Sequence, residues 1–174
     1  MVFSYIRIRC PVDEAMARYG RWIGRPALGP PEWIPDDDRI DRALDGNEQW
    51  LGLAVFFFES DGWAIVEEIS GGLGLEPTEK WLALAQDGDL VYVAGNDAVP
   101  YAQIIAIESG QLVRNVLKDE SDPSDDIDVG RLPEESKRPF NDWTDVMAWA
   151  EADEQKLVRP VKGWLWIHQA ERTE

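Results

Sequence analysis

The sequence has little of what most catalytic and metal sites are built from. Its 174 residues include one cysteine, Cys10, and one histidine, His168. A single cysteine excludes a disulfide framework within the chain and a zinc site made of cysteines. A single histidine excludes a multi-histidine metal centre. It also means that His168 is the only histidine that could act as the base for a nucleophile. We therefore expect no metal, no organic cofactor and no catalytic residues, and the sequence predicts that the protein is not an enzyme.

Positive charge is scarce as well. The chain has 17 Lys and Arg residues against 34 Asp and Glu residues, so its net charge is −17. A phosphate backbone or an anionic membrane surface would repel such a chain, so we expect no nucleic acid and no membrane as partner. The longest apolar run, Leu53 to Phe58, is about a third of what a membrane-spanning helix requires. Arg7 and Arg9 interrupt the apolar start where a signal peptide needs an unbroken stretch, which favours a cytoplasmic location.

Apolar residues, in contrast, are plentiful enough for a folded core. Hydrophobic residues make up 44% of the chain, and nine Trp, four Tyr and five Phe are present. Disordered acidic tails are poor in aromatic residues, so that class of protein is excluded. The length suits one globular domain over residues 1–174 with a contiguous core.

Turn signals predict two hairpins in the middle of the chain. Asp61-Gly62 separates apolar stretches at 50–58 and 63–69, and Ser109-Gly110 separates 101–108 from 111–117. Both dipeptides are typical of tight turns between antiparallel strands. Further strands are predicted at 2–9 and 90–94, and the segment 164–168 is either a last strand or a packed tail.

Helical spacing of apolar residues predicts the helices. They are expected over 12–23, from Asp36 with Ile40, Ala43 and Leu44 facing inward, over 77–86, and after Asn141 as the capping residue. The segment 25–35 is expected to be an irregular connection, and 118–130 an acidic loop. Because hairpins rather than helical crossovers join the strands, we predict an α+β fold, mainly an antiparallel sheet with helices packed on one side.

Two segments resemble ligand-binding motifs but depart from them at essential positions. Gly72-Leu73-Gly74 matches part of a dinucleotide fingerprint, but Pro77 stands where the third glycine belongs. The stretch 119–130 has the length of a calcium-binding loop, but its sixth residue is Ser124 and its twelfth is Gly130. A calcium loop requires Gly and a bidentate Glu there. We interpret the first segment as a glycine turn and the second as an acidic loop without a dedicated metal site.

Acidic residues are densest just before Gly130. The stretch from Asp119 to Asp128 is either a solvated loop or a negative patch that steers and binds a basic protein partner. Glu59 and Asp61, at the tip of the first predicted hairpin, are second candidates for such contacts, and Trp63 beside them could anchor an interface. The acids of the main stretch are Asp119, Glu120, Asp122, Asp125, Asp126 and Asp128.

Several of these stretches together resemble a class of small bacterial proteins. They are Phe56-Phe57-Phe58-Glu59-Ser60-Asp61-Gly62-Trp63, Val91-Tyr92-Val93-Ala94, 102–107 and Gly110-Gln111-Leu112-Val113-Arg114, followed by the acidic loop and a helix containing Trp143. The pattern over about residues 50–155 resembles the immunity proteins of polymorphic and type VI secretion toxins. The resemblance implies a cytoplasmic protein that binds one cognate toxin and blocks its active site. Because the chain is acidic, we expect that active site to be a basic cleft.

Two other functions remain open at this point. One is an acidic protein-binding or regulatory module that has no toxin partner. The other is a carboxylate-based hydrolase, because paired acids such as Glu67-Glu68 and 36–38 could supply the two carboxylates that glycosidase chemistry needs. The gene beside this one would separate the first two possibilities, and an activity screen on glycosides would address the third.

Overall fold

Nine β-strands and four α-helices make up the regular structure in a computed structural model that describes residues 2–71 and 76–170. Every strand pair with an assigned register is antiparallel, and the fold is α+β and mainly sheet, as predicted. The helices are α1 (Val12–Ile23), α2 (Arg39–Ala43), α3 (Thr78–Ala85) and α4 (Trp143–Glu154). The strands are β1 (Val2–Ile8), β2 (Glu32–Pro35), β3 (Leu53–Ser60), β4 (Trp63–Glu68), β5 (Leu90–Asn96), β6 (Tyr101–Glu108), β7 (Gln111–Asp119), β8 (Ile127–Gly130) and β9 (Lys162–His168).

The chain divides into two compact units, which are described separately. The first comprises Met1–Ile8 and Ala85–Leu157, and the second comprises Arg9–Leu84 and Val158–Glu174. The prediction of one domain over the whole chain stays a prediction. Among the described residues, no helix is long and apolar enough to cross a membrane.

The first unit is a sheet covered on one face by α4. Its strands lie in the order β1-β5-β6-β7-β8. Side chains alternate between the faces of a strand, so Ile104 and Val116 share the face on which Val146 and Met147 of α4 pack. At the end of α4 the buried Asp153 carboxylate accepts a hydrogen bond of 2.7 Å from the Tyr5 hydroxyl. Burial of apolar residues from α4 and from one sheet face therefore holds this unit together.

The second unit orders its strands β2-β9-β3-β4. Tyr19 of α1 packs edge-on against Phe57, with ring centroids 5.6 Å apart. The other face of β3 carries Phe56, whose ring lies 6.0 Å from the Arg39 guanidinium of α2. Trp81 of α3 is fully buried. Aromatic side chains thus supply much of this core.

Both predicted hairpins are confirmed, and their turn residues have the backbone geometry that tight hairpins need. Asp61 and Gly62 have φ of 50° and 76°, and Ser109 and Gly110 have φ of 49° and 72°. Two successive residues with positive φ match the right-handed twist of the flanking strands. The helix predicted over 12–23 forms over the same residues, and the segment left open near the C-terminus is a strand, β9.

Other predictions were wrong in part. Ile40 was expected to face inward but is 45% exposed, because the chain is a 3-10 turn until Asp38 and α2 is only five residues long. Asp142, rather than Asn141, caps α4. The connection at 25–35 contains β2, and the acidic loop contains β8. Gly72-Leu73-Gly74 lies outside the described residues.

Candidate functional site

Asp119, Asp122, Asp125, Asp126 and Asp128, which were predicted to bind a partner, lie with Glu120 on one continuous segment of the first unit, residues 119–128, which we call the acidic segment. It begins at the end of β7, passes through a 3-10 turn at Pro123–Asp125 and enters β8, which pairs back onto β7. The register sets Asp128 opposite Val116. A stretch expected to be an acidic loop is therefore partly anchored to the sheet.

Some of these acids stabilise the local turns. One Asp119 carboxylate oxygen accepts the backbone N–H of Ser121 at 2.8 Å and of Asp122 at 3.2 Å. The Asp122 carboxylate accepts the N–H of Ser124 at 3.2 Å. Aspartate commonly bonds the backbone two residues ahead in such turns. Hydrogen bonds from the Ser121 hydroxyl and these amides hold the pKa of Asp119 below its ordinary value.

Two other acids of the segment are paired with cations on β7. The Lys118 ammonium lies 3.1 Å from an Asp126 carboxylate oxygen, and the Arg114 guanidinium donates to Asp128 at 2.7 Å. Partial burial of Asp128 opposes its ionisation, but hydrogen bonds from Arg114 and Arg131 outweigh that effect and lower its pKa. These carboxylates hold the segment in place, and their charges are already partly compensated.

Arg114 itself is fully buried, a feature that sequence analysis missed. Its Nε lies 2.7 Å from the Glu135 carboxylate, and Nη2 donates to the second Glu135 oxygen at 2.9 Å. Glu135 is also buried and accepts the Leu132 N–H at 2.8 Å. The guanidinium carbon lies 5.6 Å from the centre of the Phe140 ring. A signal existed, because alternation along β7 places residue 114 on the same inward face as Val116.

The two remaining acids are exposed. Glu120 and Asp125 are both on the surface, and in the part of the chain that the structure describes neither carboxylate has a hydrogen bond or an ion pair. These two charges, unlike those of Asp126 and Asp128, are available to a partner.

Glu120 lines a groove of about 300 Å³ in the same unit. One wall carries Asp119, Glu120 and the Lys118–Asp126 ion pair, and the other is the start of α4, with Asp142 and the half-buried Trp143. The Asp142 carboxylate is occupied as the helix cap, since it accepts the N–H groups of Thr144 and Asp145. Carboxylates beside an indole ring are suited to a guanidinium or ammonium group. Sequence analysis named Trp143 but did not predict this groove.

The second candidate region, the β3–β4 hairpin tip, belongs to the second unit. Glu59 and Asp61 are exposed there. Trp63 is half-buried, and the Arg9 guanidinium lies 4.3 Å from its ring centroid, so one ring face already has a cation. The hairpin tip offers two exposed carboxylates.

The second unit has a groove of its own, of about 360 Å³. Leu28, Leu51 and Leu165 line it, and the Arg42–Glu32 ion pair borders it. Strand β2 at the end of this sheet carries Trp33, which is 53% exposed and packs 5.0 Å from Trp164.

The free side of β2 is poorly suited to pairing with another strand. The Asp36 N–H donates a hydrogen bond of 3.0 Å to the Val161 carbonyl oxygen. With the register of β2 against β9, the backbone N–H and C=O groups of even-numbered β2 residues therefore face β9, and those of odd-numbered residues face outward. Pro31 and Pro35 have outward positions and no N–H to donate. Prolines at such positions protect sheet edges from unwanted pairing.

Cys10 and His168, the residues weighed as a nucleophile and its base, lie in environments that disfavour their charged forms. Desolvation raises the pKa of the half-buried Cys10 thiol, which disfavours the thiolate. His168 is buried, with Nδ1 3.1 Å from the Arg25 carbonyl oxygen, and desolvation lowers its pKa. In residues 2–71 and 76–170, no group of three or more His, Cys, Asp and Glu side chains is placed to hold a metal ion. The expected absence of catalytic activity and of cofactors stays a prediction.

Comparison of the chain with protein-family models, with curated proteins and with solved structures finds no match. The resemblance to immunity proteins is therefore a hypothesis that depends on the sequence pattern alone.

Proposed function

We propose that this protein is an immunity protein that binds a cognate bacterial toxin and covers the toxin's basic active-site cleft. The observation that carries the proposal is the exposed Glu120 carboxylate in the Trp143 groove, which has no hydrogen bond or ion pair to the described residues; Asp125, on the same segment, is exposed and without such a partner as well. The sequence pattern suggests the class of partner, and the groove supports the binding chemistry.

The groove is suited to a cationic side chain from the partner. A volume of about 300 Å³ is at the lower end of the range for ligand pockets and is ample for one arginine or lysine side chain. Glu120 would pair with the cation, and the Trp143 indole would contact it through a cation–π interaction. Arginine would suit this site best, since its planar guanidinium can both pair with a carboxylate and stack on a ring.

The net charge of −17 supports fast association with a basic partner. Complementary fields raise the association rate of proteins and lose that effect as salt is added. Toxins that act on nucleic acids or nucleotides need basic clefts, so an acidic protein that occupies such a cleft would exclude the substrate.

The direct test begins with the neighbouring gene. If that gene encodes a large secreted-type protein with a variable C-terminal domain, the domain is expressed in a bacterial host with and without the present protein. We expect growth arrest by the domain alone and rescue by co-expression. Rescue and copurification should weaken with Glu120→Gln/Asp125→Asn, which removes two charges and preserves side-chain size.

The matched control is Asp37→Asn/Asp38→Asn. It removes the same charge from two exposed residues of the second unit and should leave rescue unchanged. Binding to the neighbouring gene product without any toxicity would favour the regulatory-module alternative. Hydrolysis of glycosides by the purified protein would favour the hydrolase and contradict the proposal.

A further inference from the structure

The buried guanidinium of Arg114 connects three elements of the first unit. Arg114 lies on β7, Asp128 and Val129 lie on β8, and Glu135 lies on the 3-10 turn Pro133–Ser136. The same Nη1 group donates to the Asp128 carboxylate at 2.7 Å and to the Val129 carbonyl at 3.1 Å. On the opposite side of the guanidinium, Nε and Nη2 face the two carboxylate oxygens of Glu135. The Arg114 side chain thus holds both β8 and the 3-10 turn Pro133–Ser136, the two elements that follow the acidic segment's own 3-10 turn.

A buried charge at this place needs an explanation, because an isolated buried cation is strongly unfavourable. An apolar residue would fill the same space, as Val116 does two residues along the strand on the same face. What the arginine adds is a fork of donors that fixes two carboxylates and a carbonyl in one geometry.

We propose that Arg114 is a positioning residue that fixes the acidic segment so that Glu120 and Asp125 are held ready for the partner. This inference rests on the proposed function. It assigns different roles to the acids: Asp128 and Glu135 bind Arg114 and hold the segment, whereas Glu120 and Asp125 meet the partner. A segment that is already ordered does not have to lose conformational freedom on binding, which favours affinity.

The testing variant is Arg114→Lys, which preserves the charge but replaces the fork by a single ammonium group. Hydrogen–deuterium exchange is measured on the free protein, with no partner present. Loss of one charge-assisted hydrogen bond should speed exchange of amides 119–135 about tenfold or more. Amides of β5 and β6 should exchange as in the wild type. Unchanged exchange in 119–135, or an equal rise throughout the unit, would overturn the inference.

Two further variants complete this measurement. Glu120→Gln/Asp125→Asn should leave exchange unchanged, since neither carboxylate holds the segment. If Arg114→Lys does not fold, Arg114→Met/Glu135→Leu replaces the buried ion pair by apolar groups and frees Asp128 from its main partner. That variant should show the same faster exchange in 119–131, and unchanged exchange there would overturn the inference.

Binding to the neighbour-encoded toxin domain then separates positioning from charge. Arg114→Lys keeps the net charge, so its affinity should fall about tenfold while the salt dependence of association stays that of the wild type. Glu120→Gln/Asp125→Asn should show a shallower salt dependence instead. Unaltered affinity of Arg114→Lys despite faster exchange would contradict a role in binding. If the wild type binds no toxin domain, the proposed function fails, and the exchange data still decide whether Arg114 fixes the segment.

Discussion

The acidic segment and the aromatic layer of the second unit are held in place by different forces. In the acidic segment, carboxylates such as Asp126 and Asp128 are fixed by cations on β7. The aromatic layer, which we define as Tyr19, Phe57, Trp166 and His168, is fixed by ring packing, with Trp166 and His168 only 4.5 Å apart. Although the chain has twice as many acids as bases, two of its cations, Lys118 and the buried Arg114, are placed where they hold surface carboxylates of the acidic segment. The aromatic layer stabilises the fold of the second unit by packing.

The largest expected effect is on the aromatic layer. Phe57→Ala removes a fully buried ring and leaves a cavity, so the free energy of unfolding should fall by about 3–5 kcal/mol. Chemical denaturation measures this loss. Trp33→Ala is the control, because Trp33 is 53% exposed and packs against the Trp164 ring at the surface, and it should cost less than about 1.5 kcal/mol. Equal losses would show that the layer is not the core of its unit.

The next effect concerns the buried cation. Arg114→Met leaves the Glu135 carboxylate buried without its partner and should destabilise the protein by about 3 kcal/mol, the low end for such pairs. The low end applies because Asp128, the second partner, is 36% exposed and can regain water. Arg114→Met/Glu135→Leu should recover most of this loss in the same denaturation measurement. A double variant as unstable as the single one would mean that packing, not charge, explains the site.

Within the acidic segment, two neighbouring aspartates should respond differently. Asp128→Asn weakens hydrogen bonds from a buried guanidinium and should cost about 1–2 kcal/mol of unfolding free energy. Asp125→Asn removes an exposed charge that has no partner among the described residues, and it should change stability by less than about 0.5 kcal/mol in either direction. Thermal unfolding of the two variants side by side decides this. Similar values would remove the distinction between acids that hold the segment and acids that are free.

Acid should affect the two regions in different pH ranges. Burial lowers the pKa of His168, so the unfolded chain binds its proton more readily and stability falls as pH drops below about 6.5. Each unit of pKa difference between the folded and unfolded states corresponds to about 1.4 kcal/mol. The pKa of Asp128 is also lowered, but that contribution is present above about pH 4 and is lost only below it.

The measurement is the unfolding free energy between pH 7.5 and pH 5 for the wild type and for His168→Phe. The variant has no titrating group at this position, so its stability should change less over this range. The same pH dependence in both proteins would show that another group is responsible.

The sequence predicted what depends on local chemistry. The hairpins depend on Asp61-Gly62 and Ser109-Gly110, which adopt positive φ, and α1 depends on its own apolar spacing. Strands β2 and β8 were missed because each has only four residues, and each is an edge strand stabilised by pairing, with β9 and β7 respectively. Such pairing depends on contacts far apart in sequence, which local patterns do not report.

The candidate site was predictable in the same limited sense. The density of acids from Asp119 to Asp128 marked the segment, but not which carboxylates are paired. That division depends on Arg114, whose burial follows from the register of β7 against β6 and β8. The Trp143 groove depends on where α4 begins relative to β7, a distance that no sequence pattern gives.

The most direct test of the central claim is the association rate of the neighbour-encoded toxin domain with three forms of this protein, followed by stopped-flow fluorescence at low and high ionic strength. The wild type and Asp37→Asn/Asp38→Asn should associate rapidly and slow steeply with salt, whereas Glu120→Gln/Asp125→Asn should associate several-fold more slowly and depend less on salt. Identical rates and salt dependence for the wild type and Glu120→Gln/Asp125→Asn would contradict the claim that the acidic segment is the surface that meets the partner.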